Sequence, residues 1–175
     1  MAGYNLYKQQ IFGKNVIIFM KNIVRFFIAV AIPVFVGALA GFFTATSVKG
    51  WYSTLNKPSF NPPNWIFGPV WTILYILMGI AFYLIWQKQS PVDLKRKAIL
   101  FYFMQLFINF IWSILFFYAE QPGWAFINIV FMWIFIAGTI YWFLKISMPA
   151  AWLLVPYILW VSFALVLNFA IWKMN

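Results

Sequence analysis

Five stretches of this chain carry no charged side chain: 26–48, 58–87, 98–119, 121–144 and 146–172. Within each, apolar residues surround the segment instead of forming one stripe, as in helices that face lipid or one another. Each stretch can supply the roughly 20 residues that cross a hydrocarbon core as helix. The pattern predicts spans at 26–48, 66–86, 98–118, 124–144 and 151–172. The fold class is therefore all-α, a polytopic membrane protein built as a five-helix bundle. A β-barrel is excluded, because it needs alternating segments of about 10 residues. The later links are short, so neighbouring spans are expected to run antiparallel and pack closely. Residues 1–25 read as an N-terminal lead-in and 26–175 as one membrane domain.

Composition agrees. Of 175 residues, 66% are hydrophobic, 24% aromatic and only 8% charged. A soluble domain carries about 25% charged residues, so this chain lacks the polar surface to cover a water-soluble globule. The net charge of +10 is not a nucleic-acid signal, because its carriers sit in loops and flanks. Lys8, Lys14, Lys21 and Arg25 precede the first span, Lys88, Lys95, Arg96 and Lys97 fill the second loop, and Lys145 the fourth. The other side holds Lys49, Lys57 and Lys173, with Glu120. Basic residues concentrate on the cytoplasmic side, which predicts an inside N-terminus and an outside C-terminus. The run Val16–Met20 is too short for a signal-peptide core, and no small-residue cleavage site follows it. The first 22 residues thus read as a cytoplasmic or interfacial approach to the first span. There is no cysteine, so no disulfide framework is expected.

The first loop, 49–65, differs from the others. Its second half opens a proline-rich entry into the second span, KPSFNPPNWIFGPVW over 57–71. Pro58, Pro62 and Pro63 fix φ and remove backbone donors, and Pro69 falls where a first helical turn tolerates it. Trp51, Tyr52, Phe60 and Trp65 accompany the prolines. Two readings are open: a functional lid, or an interfacial loop whose aromatics lie at headgroup level. Gly37 and Gly41 form a GxxxG pattern that lets helix backbones approach closely, within the bundle or across a dimer face.

Much chemistry is excluded. There is no histidine, and the only acids, Asp93 and Glu120, lie in loops. No grouped ligands exist for zinc, no buried acid or base for proton transfer, no intramembrane ionisable group for proton coupling and no phosphate loop. No metal or resident cofactor is expected. What remains inside is neutral and polar, or aromatic. Gln105, Asn109 and Ser113 recur every four residues and share one helix face, with Trp112 beside them. An amide in hydrocarbon is costly without a partner, so this face should point inward, either as a cavity wall or as interhelical hydrogen bonding. Asn128 and Asn168 raise the same alternatives. Trp71, Tyr75, Gly79 and Phe82 form a stripe on the second span, and Tyr157, Trp160, Ala164 and Asn168 one on the fifth. Such stripes suit either a flat apolar ligand or aromatic core packing.

These residues also carry a resemblance. WYSTLNKPSFNPPNWIFGPVWTILYILMGIAFYLIW (51–86), MQLFINFIWSILFF (104–117) and PYILWVSFALVLNFAIWKMN (156–175) closely resemble, in order and spacing, the TspO/MBR family of tryptophan-rich sensory proteins and mitochondrial translocator proteins. The resemblance implies a five-helix bundle, often a homodimer, with a cavity closed by the first loop. It implies binding of porphyrins such as protoporphyrin IX, of sterols and of benzodiazepine-type ligands. Two family tryptophans tied to light-dependent porphyrin degradation align with Trp71 and Trp160; the third-helix amide and tryptophan align with Asn109 and Trp112, and the first-loop tryptophan with Trp51. Phe60 stands where many relatives have tryptophan, and Asn128 where animal members have an acid. The proposed cholesterol motif is incomplete, with Phe169 and Ala170 before Lys173, so strong cholesterol recognition is not expected.

The expected function is a membrane receptor or carrier for porphyrin-like tetrapyrroles, with a transport or sensory role and without enzymatic chemistry. Its ligand site would lie between spans 2, 3 and 5 and comprise Trp51, Trp71, Tyr75, Gln105, Asn109, Trp112, Tyr157, Trp160 and Ala164. Lys49 and Lys57 are candidates for ligand carboxylates at the mouth. The alternative is an enzyme degrading porphyrin in light, with Trp71 and Trp160 as its only candidate catalytic groups. The expected location is a bacterial inner membrane, the alternative a mitochondrial outer membrane.

Overall fold

The computed structural model describes residues 2–48 and 50–175. Helix α1 (Ala2–Val48) is followed by the short α2 (Trp51–Thr54), then α3 (Asn64–Gln87) and α4 (Val92–Ser113). A π-helical turn, Ile114–Tyr118, extends α4. Then come α5 (Pro122–Leu144), the short α6 (Met148–Trp152) and α7 (Val155–Met174). No strand occurs among the described residues. Five segments are long and apolar enough to cross a membrane: Ile17–Ala45, Asn64–Gln87, Val92–Tyr118, Pro122–Leu144 and Met148–Met174. Large apolar side chains such as Phe27, Phe35 and Phe42 stand out from the bundle, a surface tolerable in lipid and not in water. The chain is an integral membrane protein with a five-span, all-α fold.

Two of the boundaries that differ from the sequence reading are the starts of α1 and α3. Helix α1 does not begin after Arg25 but runs through Lys21 and Arg25 as one rod, about 70 Å long at 1.5 Å per residue. Both side chains are exposed, and a charge on an outward face does not interrupt the backbone ladder. Helix α3 begins at Asn64, so Pro69 lies in its second turn and not its first. There its missing N–H leaves the Trp65 carbonyl without its intrahelical partner.

The interior is layered. At the end where α3 meets α4, Tyr102 is stacked between Phe82 (4.8 Å) and Phe143 (5.9 Å), tying α3, α4 and α5 together. At mid-depth a hydrogen-bonded cluster crosses α3, α4 and α7. Above it, toward α2, lies open space. Helix α1 reaches this core at two glycines. A Cβ on Gly79 would stand 2.5 Å from Val30 Cα and 3.0 Å from the Ala29 carbonyl oxygen. That carbonyl lacks its intrahelical donor, because the residue four positions on is Pro33. A Cβ on Gly37 would overlap the Tyr75 ring. The first glycine of the GxxxG pattern thus serves packing within the bundle. Gly41 has nothing within 4 Å and borders the open space.

Candidate ligand cavity

A cavity of about 370 Å³ opens between α1, α3 and α4 beneath the first loop. One wall is built from small residues of α1: Gly37, Ala38, Ala40, Gly41, Thr44 and Ala45. The facing wall is aromatic: Phe67, Trp71 and Tyr75 from α3, with Trp112 and Phe117 from α4 and its π-turn. Tyr52 of α2 closes it. Two threonines and two tyrosines of the lining spend their hydroxyls within the protein. Thr44 donates to the Ala40 carbonyl at 3.0 Å and Thr72 to that of Gly68 at 2.9 Å. The Tyr52 and Tyr75 phenols donate to Asn61 (2.8 Å) and Asn109 (2.6 Å). Burial pushes the Tyr52 phenol above its ordinary pKa, so it stays neutral. No charged side chain lines the cavity among the described residues.

A second, much smaller void lies on the α7 side, against Trp71, Trp112, Trp160 and Ala164. Trp71 borders both spaces. Its ring lies 5.7 Å from Tyr75 and 6.4 Å from Trp112, each at an interplanar angle of 31°, and with Phe67 and Trp112 it stands on the boundary that the two spaces share. The larger space therefore lies toward span 1, not between spans 2, 3 and 5 as expected. The small-residue run of α1 was the available signal, and it reads equally well as a packing surface.

The sequence-nominated residues divide accordingly. Trp71, Tyr75 and Trp112 line the main cavity, and Trp160 and Ala164 the smaller void. Gln105, Asn109 and Tyr157 line neither; they form the mid-depth network. Tyr75 donates to Asn109 Oδ1, Asn109 Nδ2 donates to the Tyr157 hydroxyl at 3.0 Å, and that hydroxyl donates to Gln105 Oε1 at 2.9 Å. Gln105 Nε2 reaches Met78 Sδ at 3.8 Å. The network lies outside the cavity lining and fixes Tyr75, the member that does reach the cavity, through Asn109. Trp51 borders neither space and packs edge-on against Phe116 at 5.8 Å. The Trp112 indole donates to Asn168 Oδ1 at 3.0 Å, and Asn168 Nδ2 to the Pro122 carbonyl at 2.8 Å. The Trp160 indole nitrogen and Asn128 Oδ1 are buried without a hydrogen-bond partner. Asn109→Leu is expected to orphan the Tyr75 hydroxyl and cost about 2 kcal/mol, above the ~0.6 kcal/mol average for a membrane hydrogen bond. Thermal unfolding of the purified variant checks this.

The loop is held from an unforeseen direction. Asn175 Oδ1 accepts from the Asn56 N–H at 2.9 Å, and Asn175 Nδ2 donates to the Asn56 carbonyl at 3.0 Å. The amide thus pairs with the loop backbone as a neighbouring strand would, pinning the loop to α7. Nothing in either segment marks partners 119 positions apart. Lys57 Nζ lies 4.7 Å above the Tyr52 ring and 3.4 Å from the carbonyls of Ser53 and Leu55. Lys49, the other cation proposed for the mouth, lies outside the described residues. Asn175→Ala is expected to speed amide hydrogen exchange at 55–57 several-fold, since these bonds are worth about 1 kcal/mol each. Unchanged exchange would show that the latch does not hold the loop.

Residues 29–173 match the TspO/MBR family. The chain is 42% identical over 154 residues to the "Tryptophan-rich protein TspO" of Archaeoglobus fulgidus, covering 88% of this chain and 99% of that one. It is 39% identical over 140 residues to the "Translocator protein" of Ovis aries, covering 77% and 83%. Against the "Tryptophan-rich sensory protein" of Cereibacter sphaeroides it is 36% identical over 125 residues, covering 71% and 77%.

Proposed function

Because this chain belongs to the TspO/MBR family, whose membership supports a membrane transport or sensory role, we propose that it binds porphyrin-like tetrapyrroles and similar flat hydrophobic molecules in the cavity beneath its first loop. The observation that carries this reading is the pairing of a flat aromatic wall with a wall of small residues around uncharged space. Binding sites for small molecules are concave and mostly apolar, with few placed polar groups. At about 370 Å³ the main cavity sits near the lower end of the usual range, roughly 300–1,000 Å³. Rotation of Trp71 would join it to the smaller void and bring the ligand to Trp160. The orphaned indole N–H of Trp160 would then find an acceptor on the ligand, relieving an unmet buried donor. A tetrapyrrole's carboxylates have no counter-ion in the lining and would stay at the mouth, near Lys57.

Protein in nanodiscs, titrated with protoporphyrin IX beside empty nanodiscs, tests the reading. Saturation at one porphyrin per chain is expected; uptake equal to that of empty discs contradicts it. Flux into sealed liposomes then separates a carrier, which accelerates entry, from a sensor, which does not.

A further inference from the structure

The end of the bundle opposite the cavity is strongly cationic, and its charges are held at a definite depth. Arg25 lies 6.0 Å from the Trp86 ring centroid, Lys97 5.2 Å from that of Trp142 and Lys145 5.2 Å from that of Tyr141. Tryptophan and tyrosine near span ends mark the headgroup layer, so these cations sit among headgroups and not out in water. Arg25 and a further cation, Lys95, converge on one corner. While Arg25 faces the Trp86 ring, Lys95 Nζ donates to the carbonyls of Trp86 (2.7 Å) and Lys88 (2.9 Å). Lys88 is exposed in the same turn, and the Ser90 hydroxyl oxygen there is buried without a partner. The only acid this end carries is Asp93. Like charges brought together without a counter-charge are costly, and a shared anion removes that cost.

We propose that the corner where α1 passes the α3–α4 turn, bounded by Arg25, Lys88 and Lys95, holds the phosphate of an anionic lipid headgroup. The depth of the cations favours a lipid over a soluble partner, and juxtamembrane basic clusters recognise anionic lipids by the same charge. Arg25 lies just before residues 29–173, the stretch that matches the family model.

The test uses the full chain in nanodiscs holding equal phosphatidylglycerol and phosphatidylcholine of the same acyl length, with retained lipid read by native mass spectrometry. The native protein should retain phosphatidylglycerol preferentially. Arg25→Gln should lower that preference about fivefold, the effect of one basic group near an anionic surface. Arg25→Lys should keep it, and Lys173→Gln, at the opposite end, should leave it unchanged. Equal retention of the two lipids overturns the proposal, as does a preference that survives Arg25→Gln. Displacement of the lipid by millimolar inorganic phosphate would assign the site to a free anion and overturn the lipid reading.

Discussion

Gly79→Val is expected to destabilise the protein by about 3 kcal/mol, the upper end for overpacking a formed core. The obstruction is backbone, at Val30 Cα and the Ala29 carbonyl, and no rotamer change clears it. The α1–α3 seam has to part, and the small-residue wall of the cavity moves with it. A thermal-shift measurement in detergent should show a fall of several degrees. Gly41→Ala is the matched control. Its Cβ meets nothing within 4 Å, and alanine is the better helix former by roughly 0.8–1.0 kcal/mol, so its unfolding temperature should hold or rise. If both variants unfold alike, the close approach at Gly79 does not hold α1 in place.

Gly41→Phe is expected to weaken protoporphyrin IX binding more than tenfold while leaving the fold intact. Gly41 borders the cavity, and its Cβ position is free of neighbours, so a phenyl group there fills the space opposite Trp71 and Trp112. Loss of the apolar volume a ligand needs is worth at least the 1.4 kcal/mol that a tenfold change represents. Measured beside Gly41→Ala, which occupies far less of the cavity, the variant separates a blocked site from a damaged fold. Full affinity in Gly41→Phe would place the ligand elsewhere.

The five spans were legible because charge-free runs of the right length have few alternatives in a bilayer. The sequence also showed that Gln105, Asn109 and Ser113 face inward, since amides do not face lipid. It did not show their partners, which depend on the height at which α4 meets α3 and α7. That height sets Gln105 and Asn109 against Tyr75 and Tyr157, while Ser113, one turn nearer the loop, reaches the cavity. Helix α1 was the least legible element. Its lead-in is continuous with the span because exposed lysine and arginine do not stop a helix, and its small residues form a cavity wall as readily as a packing face. Proline content marked the first loop as stiff, but its latch to Asn175 joins residues that only the closed bundle brings together.

The central claim is that Trp71 and Trp160 flank the ligand. Titrating purified protein with protoporphyrin IX and following quenching of tryptophan fluorescence tests it most directly, in the native chain and in the Trp71→Phe plus Trp160→Phe variant. The account predicts saturable quenching in the native protein and an affinity at least tenfold weaker in the double variant, because a ring on the boundary between the two spaces and the buried, unpartnered indole donor of Trp160 are both altered. Saturable quenching with unchanged affinity in the double variant would contradict it.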